Sequence, residues 1–440
     1  MSDPVNETPE VAAQPGDLTA RGDAVAGPGG ESRGTPAATE TRTSLFFRDL
    51  LSGSWLVSVL AILVALVIGA VLIALADRAV QDAAGYVFAR PSDFFSAAWD
   101  AVYSAYVALF RGAVFDFQAE TFARSVRPFT ETLVFSVPLI LAGLGVAVGF
   151  RAGLFNIGGQ GQIILGGIFG AFIGFTFDLP PVLHVTLAVI GAALGGAIWA
   201  GIAGVLKART GANEVIVTIM LNNIAVYLVA YLLTTQAFKL PGSPFPKSPN
   251  IPTDSGTFPL LLGPSFRLHA GFLVAIGVTV FVWWLLERST LGFELRASGA
   301  NPSAARTAGI SVPRVTVLTM LIAGALCGLA GAAQVLGTEK ALTAGVAASY
   351  GFDAITVALL GRSRPFGTFL SGLLFGALKA GGFLMQSTTN TPIDIILVVQ
   401  SIIVLLIAAP PLVRAIFRLP TPGAAPRRRA TTPAVKEAAA

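Results

Sequence analysis

Apolar runs of about twenty residues without a charge constrain this chain more than any other feature. A bilayer's hydrocarbon core is about 30 Å thick, and a helix needs about 20 residues to cross it. Lipid offers no hydrogen bonds, so backbone that crosses it must pair with itself, as a helix does. Such runs occupy residues 50–76, 132–150, 152–177, 179–206, 215–238, 268–286, 315–338 and 395–413. Between Lys340 and Asp394 the chain stays apolar but carries Asp353, Arg362, Arg364 and Lys379, which fits two shorter or broken spans. The expected fold is therefore all-α and polytopic, with about ten transmembrane helices, some of them broken near the midplane.

Composition agrees. Hydrophobic residues make up 54% and charged residues 12%, against about a quarter charged in soluble domains. The net charge of +5 comes mostly from bases flanking the runs, which implies anionic lipid headgroups as partners and not nucleic acid. The one cysteine, Cys327, lies inside an apolar run and has no intrachain disulfide partner; it reads as core filler.

Basic residues in short loops set orientation. With a cytoplasmic N-terminus the inner side receives Arg151, Lys207, Arg209, the four arginines of residues 287–314, Arg362, Arg364 and Arg427 to Arg429. The outer side receives Lys239, Lys247, Arg267 and Lys340. Charge and parity thus both put the two termini in the cytoplasm.

The segments flanking and joining the spans differ in character. Residues 1–44 are rich in Pro, Gly, Ala, Thr and acids with no aromatic, a composition expected to form a disordered cytoplasmic tail. They lack the pattern of a secretory signal, so the first apolar run is expected to stay as an uncleaved span. Residues 45–127 then hold that span and an external segment. Within it, residues 83–122 are dense in aromatics, which suits an interfacial helix and loop on the outer leaflet. Residues 128–413 form the transmembrane core, 239–269 an outward Pro- and Gly-rich loop, and 414–440 a basic cytoplasmic tail.

Polar or irregular sequence inside a span survives where it lines a cavity. Asn156, Gly158, Gln160 and Gln162, directly after Phe155, suit a broken helix facing a solute path; close helix packing through the glycines is the alternative. Gly351, Phe352 and Asp353 open a second short run, where Asp353 can cap a half-helix, either as pathway or as structure. Asn213 and Glu214 stand at the inner end of their span, in a place for gating or helix capping. Asn222 and Asn223 lie deeper, where at least one should face protein or a cavity.

The longest charged interruption, residues 287–314, holds a helix punctuated at both ends. Asn301 can cap its free amides, Pro302 suits the first position, and Gly309 can close it in the left-handed region. Helices this short are marginal in water, so this one should hold its shape by docking.

That stretch resembles the cytoplasmic coupling loop of permease subunits of ATP-binding-cassette importers, in the branch for simple sugars and nucleosides. GLFNIGGQGQ at 153–162, YGFDAITVALLGRSRPFG at 350–367 and, more weakly, GANEVIVTIMLNNIA at 211–225 are similar to that branch, in its order, across roughly residues 130–409. The resemblance implies that Asn301, Pro302, Ala304, Ala305, Arg306 and Gly309 engage a separate ATPase, which carries the ATP and Mg. It implies a second permease subunit, the same or different, and an extracytoplasmic solute-binding protein, at a bacterial plasma membrane. The FNIGGQGQ form with an extra N-terminal span is similar to the larger permease of nucleoside importers, so nucleosides are the expected cargo and simple sugars the alternative.

Other chemistry finds little support. No phosphate-binding loop ending in Lys-Ser or Lys-Thr occurs, so an enzyme is not expected and ATP hydrolysis falls to another chain. His184 and His269, near outer ends of spans, lack neighbours that would complete a metal site and read as interfacial. Deep ionisable groups are limited to Glu131, Asp353, Lys379 and Asp394. An ion-coupled secondary transporter, the remaining alternative, usually carries carboxylates near the midplane.

Overall fold

A computed structural model of the chain describes residues 54–389 and 391–418. The expectations for the tail at 1–44, and for the basic tail beyond Arg418, lie outside the described residues. The helices are α1 (Ser54–Ala76), α2 (Arg78–Ala84), α3 (Pro91–Ala113), α4 (Phe122–Arg151), α5 (Gly159–Thr176), α6 (Pro181–Thr210), α7 (Glu214–Leu232) and α8 (Gly271–Arg288). They continue with α9 (Thr290–Ala300), α10 (Pro302–Thr307), α11 (Val312–Ala332), α12 (Tyr350–Leu360), α13 (Pro365–Thr389), α14 (Asp394–Ala408) and α15 (Pro410–Ile416). Among the described residues there are two isolated β-bridges and no sheet.

Eight of these helices are long and apolar enough to cross a membrane: α1, α4 to α8, α11 with the turn that follows it, and α13; α12 and α14 are shorter apolar helices. Between Lys340 and Asp394 the chain forms two helices, as expected: α12 is short, and α13 runs uninterrupted through Lys379, whose ammonium group meets Asp353 on α12 at 2.8 Å. One expectation about the spans is corrected. The run at 395–413 breaks at Ala409, where Pro410 has no N–H to give and disfavours helical geometry in the residue before it.

The core is built on α4, α5, α6, α11 and α12. Small residues bring backbones together there, as membrane helices require when apolar burial alone gives little drive for association. A Cβ added to Gly196 on α6 would sit 2.2 Å from the Gly324 carbonyl on α11, so the two helices touch backbone to backbone. Cys327 is fully buried in this core, and a second cluster joins α1, α3, α13 and α14.

Three further segments carry structure beyond what the sequence indicates. The aromatic segment forms a helix, α3, whose C-terminal half is docked: Ala105, Ala108 and Gly112 are buried, and the Tyr106 hydroxyl donates to the Leu66 carbonyl halfway along α1. Trp99, Tyr103 and Phe110 point away from the protein. The Pro- and Gly-rich loop at 239–269 is folded in as well. Ser248, Ile251 and Phe258 donate backbone hydrogen bonds to the carbonyls of Leu342, Lys340 and Leu336, and Ile251 is 1% exposed. Finally, α11 ends in a π-helical turn, Ala333–Thr338, and the backbone stays irregular to Ser349 with positive φ at Lys340 and Ala348. The break in the second half therefore spans the residues ahead of Gly351, and the loop at 239–269 supplies partners for its exposed backbone groups.

Candidate functional site

The two irregular stretches, residues 152–158 and 339–349, meet inside the bundle. Gln160, in the first turn of α5, donates from Nε2 to the Ala348 carbonyl at 2.6 Å and accepts from the Gly351 amide at 3.1 Å. Only glycine fits opposite it, since a Cβ on Gly351 would lie 2.2 Å from the Gln160 nitrogen. Both breaks are thereby joined into one body.

The neighbouring amides are consumed by each other. Asn156 Nδ2 donates to Gln162 Oε1 at 3.0 Å, and Gln162 Nε2 returns a bond to Asn156 Oδ1 at 2.9 Å; both residues are 1% exposed. Asn156 Oδ1 also accepts from the Gly158 amide at 3.0 Å, and Gly158 is too close to both side chains to carry a Cβ. Asn222 on α7 closes the other side, accepting from Gly161 N at 2.8 Å and donating to the Ile157 carbonyl at 2.9 Å. These amides complete the backbone pairing that the break would leave open. Asn156, Gln162 and Asn222 therefore brace the break, Asn222 reaching it from 61 residues beyond Gly161.

Other residues keep open faces. Phe155 is 55% exposed with its ring 4.9 Å from Phe150, and Phe352 is 51% exposed. Asn223 is exposed and donates to the Ile219 carbonyl on its own helix. Asp353 does not cap α12, whose cap position is Ser349. Its carboxylate, four residues on, accepts from the Ser349 hydroxyl at 2.7 Å and pairs with Lys379, whose ammonium also reaches Ser349 Oγ at 2.9 Å and lies 4.3 Å from the centre of the Tyr350 ring. Asn213 caps α7, accepting from Val215 N at 2.9 Å and Ile216 N at 3.4 Å. Glu214 pairs with Lys207 at 2.5 Å and accepts from Phe155 N at 3.5 Å.

Between α9 and α11 sits α10. Asn301 Oδ1 accepts from Ser303 N at 3.0 Å and Ala304 N at 3.1 Å. Gly309 (φ 85°) closes the helix: Ile310 N reaches the Ala305 carbonyl and Gly309 N the Arg306 carbonyl, each at 3.0 Å. This is the paired-bond ending that satisfies the last carbonyls of a helix. Ala305 is 3% exposed and faces the base, while Asn301, Pro302, Ala304, Arg306 and Gly309 are exposed. The segment leading into α10 rests on the first break, since a Cβ on Gly299 would lie 2.5 Å from the Arg151 carbonyl. The exposed knob and the amide cluster are thus separated only by residues 151–155.

Neither histidine is interfacial. His184 is fully buried with Nε2 3.1 Å from the Ile173 carbonyl. His269 is 1% exposed, stacks on Phe258 and accepts from Gly271 N at Nδ1. Burial, with the positive charges of Arg267 and Lys340 nearby, pushes its pKa down to about 4. Among the described residues no group of three or more His, Cys, Asp or Glu is placed to hold a metal ion.

Comparison with known proteins covers the whole of this site. Residues 129–408 match the family described as branched-chain amino acid transport system / permease component. The guanosine ABC transporter permease protein NupP of Bacillus subtilis (strain 168) is 40% identical over 287 residues, 63% of this chain and 80% of that protein. The glucose ABC transporter permease protein TsgB13 of Haloferax volcanii is 38% identical over 285 residues, covering 63% and 74%. The nucleoside ABC transporter permease protein NupB of Lactococcus lactis is 35% identical over 301 residues, covering 64% and 80%. No solved structure matches significantly.

Proposed function

Since this chain belongs to the branched-chain amino acid transport system / permease component family, and is an integral membrane protein, we propose that it is the permease of an ATP-driven importer whose cargo is a nucleoside. The observation that carries the cargo is the similarity to the guanosine and nucleoside permeases just described, at 40% and 35% identity. The exposed rings of Phe155 and Phe352, beside the half-buried groups of Gln160 and Asp353, are chemically apt for a base and a ribose. In this reading Phe155, Gln160, Asn223, Phe352 and Asp353 line the path. Asn156, Gly158, Gln162 and Asn222 keep its wall in shape, and Asn213 and Glu214 anchor the inner gate.

The chain crosses the membrane ten times with both termini in the cytoplasm, α12 and α14 being the short crossings. A separate ATPase carrying ATP and Mg grips α10 through Asn301, Pro302, Ala304, Arg306 and Gly309, with Ala305 as the base of the knob. A second permease completes the pore, and an extracytoplasmic protein delivers the solute. The scarcity of ionisable groups deep in the spans supports energy from outside the chain.

The test is uptake by proteoliposomes holding the permease pair, ATPase and binding protein, with labelled guanosine competed by uridine or ribose. ATP-dependent guanosine uptake, competed by uridine, is the expected result. The similarity to a glucose permease at 38% identity favours a second reading, import of a simple sugar; competition by ribose or glucose alone would select it. Flux driven by an ion gradient without the ATPase would refute both.

A further inference from the structure

At the end of the molecule that carries Arg151, α8 and α13 part to leave an open cleft of about 940 Å3, lined by Arg151, Trp283, Glu287, Arg288, Arg364 and Phe366 among others. Three guanidinium groups there face one carboxylate. Glu287 is taken by Arg151 at 3.2 Å, and Arg151 Nε is taken by the Ser363 carbonyl at 3.0 Å. Arg288 lies over the Trp283 ring, 5.7 Å from its centre, and Trp283 in turn is 6.2 Å from Phe366. Among the described residues neither Arg288 nor Arg364 has a carboxylate within ion-pair distance, and both are exposed.

Each of these two arginines ends an apolar stripe. On α8, Phe281, Trp284 and Arg288 stand at helical spacing on one side, with Phe281 49% and Trp284 51% exposed. On α13, Phe366 and Leu370 follow Arg364 one turn apart, 52% and 65% exposed. Charge at one end of a membrane helix and bare apolar surface along it together match a molecule with the same division.

We propose that this cleft binds an anionic phospholipid, with Arg288 and Arg364 on its phosphodiester, Trp283 and Phe366 against the start of an acyl chain, and the bare apolar surface beyond them along its length. Guanidinium groups present forked donors that fit phosphate oxygens, basic pockets between membrane helices hold anionic headgroups, and tryptophan favours that depth. A free phosphate would satisfy the arginines but leave the apolar stripes uncovered. The site rests on the chain's membrane embedding and is independent of its cargo.

The experiment is native mass spectrometry of the purified full chain, without ATPase, binding protein or solute, exposed to equal amounts of phosphatidylglycerol and phosphatidylcholine. Selective retention of phosphatidylglycerol is expected. It should fall about tenfold in Arg364→Gln, the loss of one charge-assisted contact, and further in Arg288→Gln/Arg364→Gln. Arg209→Gln, which removes an exposed charge from the end of α6, should leave it unchanged. Trp283→Ala, which keeps every charge, should also weaken retention. Equal retention of both lipids, equal loss in Arg209→Gln, or displacement by inorganic phosphate would overturn the proposal. So would a double variant that keeps the lipid but no longer co-purifies with the ATPase, which would make the cleft a protein contact.

Discussion

Gln160 grips the backbone on both sides of Ser349, donating to Ala348 and accepting from Gly351. The grip links a break in the first half of the chain to one in the second, 191 residues away in sequence. The two irregular segments are therefore bonded to each other through one side chain.

Replacing Gln160 with Leu would leave the Gly351 amide and the Ala348 carbonyl without that partner. A cost of about 1 kcal/mol is expected, chiefly at the part-buried Gly351 amide, since Ala348 is exposed and its carbonyl can turn to water. Gln160→Glu keeps the acceptor for Gly351 but loses the donor to Ala348, so its thermal unfolding midpoint in detergent should fall between wild type and the Leu variant. An unfolding midpoint for Gln160→Leu equal to wild type would show that the clasp holds nothing.

Lys379 and Asp353 make a second linked pair. Their side chains are 15% and 14% exposed, so removing one partner strands the other charge. Lys379→Met should cost about 3–5 kcal/mol, the usual penalty for breaking a buried pair. Lys379→Met/Asp353→Leu should recover most of that loss, since both charges are then gone. The comparison is made by thermal unfolding of the three proteins; a double variant no better than the single would mean that shape, not charge, sets the cost.

How much of this was legible beforehand depended on where each residue's partner lies. The apolar runs and the caps of α10 are local: Asn301, Pro302 and Gly309 state the helix ends in their own chemistry, and the ends fall there. The charges at 353–379 mark two helices in residues 340–394, and two are there; where Lys379 finds its counter-charge is not legible, because Asp353 sits on another helix. Asn156 and Gln162 mark the first break, but amides six residues apart carry no sign of being each other's partners, and Asn222, expected to face protein or a cavity, gives no sign of which segment it meets. The stretch at 339–349 shows in the sequence only as the end of an apolar run at 338; its partners are hidden, since its hydrogen bonds go to a loop nearly a hundred residues earlier.

His269 gives a pH dependence with a definite sign. Its folded pKa of about 4 lies below the ordinary 6.5, so the unfolded chain binds the proton more readily. Stability is then fully present above pH 6.5 and is lost as pH falls toward 4, by about 3 kcal/mol over the window. The thermal midpoint measured from pH 8 to pH 4 should drop below pH 6.5, and the drop should shrink in His269→Asn. A variant that tracks wild type throughout would assign the acid loss to other groups.

The account as a whole depends on motion delivered through α10 from a nucleotide-powered neighbour. Ala305 faces the base of the knob, so a charge placed there would disturb the fold, but Ala304 faces outward and tests the contact alone. The deciding measurement is the ratio of solute imported to ATP hydrolysed in proteoliposomes containing Ala304→Glu with its ATPase and binding protein. Hydrolysis that continues while uptake falls at least about tenfold, a loss of roughly 1.4 kcal/mol of coupling, is the expected result. Uptake at the wild-type ratio would contradict the account.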